Sequence, residues 1–143
     1  MKKQYERDDI DYREIAGSRT FDFINNKKLR LLLQRDYKSA KTCLINELWK
    51  PTIILYGSLI EAVLIENTGT MSFNSALEKS LKNKIISQKE YYKIQIVKDL
   101  RNFVHIHKEL SEGGEINESW ARTFSDICES IIKRFKKEKS HIG

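Results

Sequence analysis

The residues best suited to chemistry lie in one short segment, residues 98–108, which holds two of the three histidines in the chain. Arg101 and His105 are four residues apart, so on a helix they share one face, and His107 follows two residues later. A guanidinium binds phosphate through paired hydrogen bonds, and an imidazole titrates near neutral pH and can move protons. This combination is chemically suited to binding an RNA phosphate and moving protons beside it.

A packing or capping role explains the same residues without chemistry. Arginine and histidine side chains near a helix end commonly hydrogen-bond the last carbonyl groups. His107 would turn toward the core if the helix continues, and outward if the helix loosens before Gly113 and Gly114. Spacing alone leaves both interpretations open.

The elements that position this segment are predicted to be helices, because apolar residues recur at helical spacing almost throughout the chain. The first stripe covers about five turns from Leu29 to Leu48, and Asn25 or Asn26 is suited to cap its start. Pro51 disfavours helical geometry at the residue before it, so this helix is expected to stop near residue 50.

The second predicted helix, about residues 51–67, is apolar nearly all round. A helix of this kind lies at the centre of a bundle or at a subunit interface. Gly69 is suited to its C-terminal cap, since glycine tolerates the left-handed conformation that often ends a helix.

Two capping boxes predict the next helix starts. Ser75 with Glu78 is expected to open a short helix to about Lys82. Ser87 with Glu90 is expected to open a long helix that carries Arg101 and whose apolar stripe runs from Tyr91 to Val104. After the Gly-Gly break, Asn117 is suited to cap a last helix. Its apolar stripe comprises Trp120, Phe124, Ile127, Cys128, Ile131, Ile132 and Phe135.

The predicted fold is therefore all-α, a bundle of four to five helices in one domain. The expected organisation is a loosely ordered charged arm at residues 1–20, a single helical domain at 21–139 and a frayed tail at 140–143. Six glycines and one proline among 143 residues are too few for a turn-rich all-β sandwich.

Composition narrows the class of protein further. The net charge of +6 is compatible with a phosphate-bearing partner without requiring one. No apolar run reaches the roughly 20 residues that span a bilayer, and no export signal is recognised, so a cytoplasmic protein without a membrane partner is expected. Cys43 and Cys128 are far apart and are predicted to be reduced, and the ligands for a structural zinc site are too few.

The pattern of Arg101-Asn102 followed by a histidine, on the penultimate long helix of an all-α chain, resembles the HEPN superfamily (higher eukaryotes and prokaryotes nucleotide-binding domain). The apolar helix that contains Tyr56, the connector with a short helix and the closing amphipathic helix match the same plan. The resemblance covers about residues 25–138.

This resemblance implies a metal-independent endoribonuclease that needs no cofactor and works as a homodimer, in which two Arg–His pairs form one composite site. Arg101 would clamp the scissile phosphate, and Asn102 would orient the pair or hydrogen-bond the phosphate. A histidine would assist attack of the RNA 2′-hydroxyl on phosphorus, leaving a 2′,3′-cyclic phosphate. Such proteins are often toxins or antiviral defence effectors with an antitoxin or regulatory partner.

The family's motif has four to six residues between arginine and histidine. His107 fits, with five intervening residues, whereas His105 has three and fits helical geometry better. His107 is therefore predicted as the catalytic histidine, with His105 as the alternative. Lys98 and Lys108 would widen the positive surface for the RNA backbone.

Two other functions remain open. A HEPN-like helical module without catalytic activity could serve dimerisation or bind a nucleotide or a protein partner. A helical interaction protein whose positive charge is incidental would also fit the composition. Convergence of Arg101 and the histidines in an exposed cleft distinguishes the nuclease from both.

Overall fold

The computed structural model of the chain describes residues 17–100 and 116–142. Within these ranges the chain forms five α-helices and no strand, which confirms the predicted all-α bundle. The helices are α1 (Lys27–Ile45), α2 (Trp49–Thr68), α3 (Phe73–Lys82), α4 (Gln88–Leu100) and α5 (Glu118–Ile142).

Helix α2 is the centre of the bundle. It packs against α1, α3 and α5, while α4 packs against α3 and α5. Most apolar residues of α2 therefore find partners, although Ile54 is 40% exposed, and the prediction of a bundle-centre helix is confirmed. Its largest buried apolar residues are Ile53, Tyr56, Leu59, Ile60, Val63 and Leu64.

A short aromatic segment before α1 completes the core. Phe21 and Ile24 are buried, and the Phe21 ring meets the Tyr37 ring of α1 edge to face with 5.5 Å between centroids. Phe23 lies 5.7 Å from Phe135 of α5. These contacts join the first described segment to the first and last helices.

Three predicted helix ends are confirmed. The Asn26 side chain accepts a hydrogen bond from the Leu29 N–H at 3.0 Å at the start of α1. Asn117 accepts from the Trp120 N–H at 3.0 Å at the start of α5. Gly69 ends α2 in the left-handed conformation, with φ of 70°.

The capping box at the start of α4 is also confirmed. The Ser87 N–H donates to Glu90 Oε1 at 2.7 Å, and the Glu90 N–H donates to Ser87 Oγ at 3.1 Å. Both residues therefore satisfy backbone N–H groups that the first turn would otherwise leave unpaired.

The predicted N-cap of α3, Ser75, is wrong by about one helical turn. Ser72, in extended conformation, is the N-cap and accepts a hydrogen bond from the Ser75 N–H at 3.1 Å. Starting there lets the helix bury Phe73 together with Ala76 and Leu77. Burial of the aromatic ring explains why the Ser75–Glu78 box is not used. The predicted end at Lys82 is confirmed.

The boundary between α1 and α2 also differs from the prediction. Helix α1 ends at Ile45, because Glu47 adopts the left-handed conformation with φ of 61°. Leu48 is the N-cap of α2 and lies exposed, so it does not belong to the α1 stripe. Pro51 lies within the first turn of α2, where a missing N–H removes no helical hydrogen bond.

Both cysteines are free thiols, as predicted: Cys43 is partly buried and Cys128 is buried. Burial raises the pKa of the Cys128 thiol well above its usual value, which keeps it protonated and unreactive. None of the described helices is long and apolar enough to cross a membrane.

The α3 cap gives a direct test of the helix boundary. Ser72→Ala is expected to lower the free energy of unfolding by about 1 kcal/mol, because it leaves the Ser75 N–H without its side-chain acceptor. Ser75→Ala is the matched control and is expected to change stability by less than about 0.5 kcal/mol. Urea unfolding measures both, and a larger effect at Ser75 would place the cap there.

Candidate functional site

Most of the predicted site falls in residues 101–115, outside the described residues. This applies to Arg101, Asn102, His105, His107 and Lys108. The structure describes Lys98 and the rest of helix α4 up to Leu100, the residue before Arg101. It also describes the elements that pack against α4.

The buried face of α4 fixes the rotation of this helix relative to the core. Ile94, Val97 and Leu100 are all buried and share one face, which packs against α3 and α5. The stripe continues to Leu100, the residue immediately before Arg101. The core therefore holds the chain up to the first residue of the motif.

Lys98 lies where the end of α4 meets the beginning of α3. Its Nζ donates a hydrogen bond to Asn74 Oδ1 at 3.3 Å, and Asn74 is the second residue of α3. The N-terminus of a helix carries a partial positive charge from its aligned peptide dipoles. A lysine ammonium and a helix N-terminus thus lie side by side at the end of α4, and both favour an anion.

Another lysine, Lys79 of α3, stabilises the contact between α3 and α2. Lys79 Nζ donates to the Thr68 carbonyl oxygen at 2.8 Å, at the C-terminal end of α2. A cation is favourable there because the last carbonyl groups of a helix carry partial negative charge. Lys79 therefore ties α3 to α2.

The start of α4 is held by a charged contact with α5. Arg134 Nη1 lies 2.9 Å from Glu90 Oε1 and donates to the Ile85 carbonyl oxygen at 2.7 Å. One guanidinium thus links α5 to the first turn of α4 and to the connection before it. The sequence places Arg134 in a basic tail that complements the helix dipole, and its pairing with Glu90 was missed because nothing in local spacing indicates it.

A second polar contact joins α4 to α3. The Tyr91 hydroxyl donates to Glu78 Oε2 at 2.6 Å. This hydrogen bond raises the pKa of the Tyr91 phenol, since ionisation would remove the donated proton beside a carboxylate. Tyr92, the next residue, is 60% exposed, and its ring meets the Tyr91 ring with 5.7 Å between centroids.

Helices α4 and α5 also leave a groove of about 280 Å³ between them. Its apolar side chains are Ile94, Ile127 and Ile131, and Lys93 and Asp126 contribute opposite charges. Within the described ranges, no group of three or more side chains could hold a metal ion.

Comparison with known proteins does not assign the chain to a family. No protein-family model matches the chain, and no curated protein or solved structure matches it.

Arg134 is expected to be the main polar anchor of α4. Arg134→Ala removes two contacts of a charged donor and is expected to lower the free energy of unfolding by about 2 kcal/mol. Amide hydrogen exchange in the first turn of α4 should accelerate as well. Lys133→Ala, at the exposed neighbouring residue, is the control. Equal effects of the two substitutions would contradict an anchoring role for Arg134.

Proposed function

We propose that this protein is a metal-independent endoribonuclease of HEPN type that acts as a homodimer. The observation that supports the proposal most is the placement of α4. The described part of the helix has a buried stripe up to Leu100, is held to α5 at its first turn, and carries Lys98 beside the α3 N-terminus.

Positive charge at the end of α4 suits an RNA backbone. The phosphodiester that enters the site is an anion, and Lys98 with the α3 N-terminus would attract it toward Arg101. Arg101 would then hold two phosphate oxygens, as the planar guanidinium allows. Charge that builds on those oxygens during reaction would be stabilised by the same contact.

The proposed reaction is a transfer within the RNA. His107 would accept the proton of the 2′-hydroxyl as its oxygen bonds to phosphorus, and the bond to the 5′-oxygen of the next nucleotide would break. The leaving 5′-oxygen takes up a proton from water, and His107 returns its proton to the solvent; the products are a 2′,3′-cyclic phosphate and a 5′-hydroxyl. DNA lacks the attacking hydroxyl and would not be cleaved.

An exposed apolar pair on α4 supports the homodimer. Tyr92 and Ile96 are 60% and 41% exposed, and they lie one turn apart on the helix that precedes Arg101. Covering this pair with the same face of a second copy would bring two α4 helices together. A two-fold arrangement of this kind would place two copies of the motif at one subunit interface.

Cleavage of a mixed RNA in the presence of EDTA tests the proposal. The full-length protein is expected to yield cyclic-phosphate ends, and Arg101→Ala and His107→Ala are each expected to slow cleavage by about 100-fold or more. Arg122→Ala is the matched control, because Arg122 is an exposed arginine paired with Glu118 on α5.

Three outcomes have distinct meanings. Cleavage that survives Arg101→Ala would contradict the proposal and indicate a contaminating nuclease. Loss of activity in His105→Ala but not in His107→Ala would move the catalytic role to His105. A wild-type protein that dimerises without cleaving RNA would instead support the non-catalytic module.

Lys98 has a separate expected effect on RNA binding. In an Arg101→Ala background, Lys98→Ala is expected to reduce the slope of log affinity against log salt concentration by about 0.7, the value for one phosphate contact on a single strand. Lys82→Ala, at the opposite end of α3 from Asn74, should leave the slope unchanged. Filter binding across a salt series measures both, and an unchanged slope for Lys98→Ala would exclude the contact.

A further inference from the structure

The groove between α4 and α5 has lysines on both of its sides. Lys93 lines the groove from α4, and Lys89, four residues earlier, shares that helix face. On α5, Lys133 and Lys137 follow the groove residue Ser130 by three and seven residues, so they share its face. All four lysines are exposed, and together they are called the lysine rim below.

The contact between Arg134 and Glu90 brings both pairs of lysines to the same end of the groove. Arg134 Nη1 of α5 lies 2.9 Å from Glu90 Oε1 of α4. Lys89 immediately precedes Glu90, and Lys133 immediately precedes Arg134. The two helices therefore meet at a point where each of them carries lysines.

The acidic residues of the groove leave this end positively charged. The groove is lined by two carboxylates, Glu90 and Asp126. Glu90 Oε1 already accepts from the Ser87 N–H at 2.7 Å and contacts Arg134, while Asp126 lies one turn beyond Ser130, away from the rim. Within residues 17–100 and 116–142, no acidic side chain forms an ion pair with a lysine of the rim.

The spacing of the lysines is unfavourable for the folded chain alone. Two like charges four residues apart repel each other on a helix, and both pairs of the rim have this spacing. An anion bound between the two helices would remove that repulsion. The rim is therefore better explained by a bound anion than by a structural role.

The groove favours a phosphate backbone over bases or a lipid surface. Its apolar residues, Ile94, Ile127 and Ile131, are buried, and no aromatic ring is among the described residues that line it, so bases have no ring to stack on. Helices that lie on membranes combine basic residues with exposed apolar anchors. None of the exposed large apolar side chains of the described chain lies in residues 82–90 or 126–138.

We propose that the lysine rim is a second binding site for the phosphate backbone of RNA. The inference rests on the proposed nuclease for the identity of the anion. Glu90, beside the rim, and Leu100, the residue before the proposed motif, are ten residues apart, which is about 15 Å along the axis of α4. A trinucleotide has two linking phosphates and occupies one of these regions, whereas a longer strand reaches both. The substrate class is therefore RNA of about ten nucleotides or more.

RNA binding by the Arg101→Ala protein tests the rim separately from cleavage. For a single strand of 20 nucleotides, Lys133→Gln with Lys137→Gln is expected to weaken binding by about tenfold. The slope of log affinity against log salt concentration should fall by about 1.4, because each phosphate contact on a single strand contributes about 0.7. Lys89→Gln with Lys93→Gln is expected to have the same effect. Fluorescence anisotropy across a salt series measures both.

A matched pair of substitutions controls for net charge. Lys28→Gln with Lys41→Gln removes the same charge from exposed positions of α1, which contributes no residue to the groove. This variant is expected to change RNA affinity by less than about twofold.

Cleavage kinetics provide a second test with Arg101 intact. For the 20-nucleotide RNA, the rim variants are expected to raise KM by about tenfold and leave kcat unchanged, because the rim binds substrate away from the reacting atoms. Cleavage of a trinucleotide should be unchanged. A purely structural role of these lysines would alter the kinetics of both substrates.

Four results would overturn the inference. These are the absence of RNA binding, unchanged affinity in the rim variants, equal losses in the rim and control variants, and rim-dependent binding to phosphatidylserine vesicles in place of RNA. Cleavage that requires Arg101 but not the rim would refute the second site and leave the proposed nuclease intact. Rim-dependent RNA binding without cleavage would support the second site and contradict the nuclease.

Discussion

Burial of helix α2 is the constraint on which the rest of the structure depends. A helix that is apolar nearly all round is stable in water only when neighbours cover most of its circumference. Helices α1, α3 and α5 provide that cover, and α4 then packs against two of them. Fully burying one large apolar side chain contributes about 1.5–3 kcal/mol, so the buried residues of α2 make a large contribution to the stability of the bundle. The position of α4, and with it the entry to Arg101, follows from this packing.

Helix α4 is held by polar contacts with two other helices along its described length. The Glu90–Arg134 contact fixes its first turn, Tyr91 bonds to α3, and Lys98 reaches Asn74 at its end. The buried stripe between these contacts sets the rotation of the helix. The proposed nuclease would need such rigidity, because a phosphate clamp that is displaced by about 1 Å loses much of its effect. The exposed face with Tyr92 remains available for assembly.

Much of the fold could be predicted from the helical spacing of apolar residues and from helix-capping residues, since both are local features of the sequence. Asn26, Asn117 and Gly69 act where the pattern places them, and the stripe from Phe124 to Phe135 is buried. The α3 start was wrong because burial of Phe73 outweighs a local capping box. The Glu90–Arg134 pair depends on a contact between distant parts of the chain, which spacing does not reveal. Of the predicted site residues, Lys98 is described, and the roles of Arg101 and His107 remain predictions.

The packing of α2 has a consequence for how the chain is made. Its neighbours α1 and α3 are adjacent to it in sequence and can pack as soon as they leave the ribosome, whereas α5 follows about 50 residues after the end of α2, at Glu118 against Thr68. Part of the most apolar helix therefore stays uncovered while the intervening segments are translated. Exposed apolar surface of this kind invites association with other nascent chains or with chaperones. Completion of α5 ends that exposure, because α5 is the neighbour of α2 that is translated after α1 and α3.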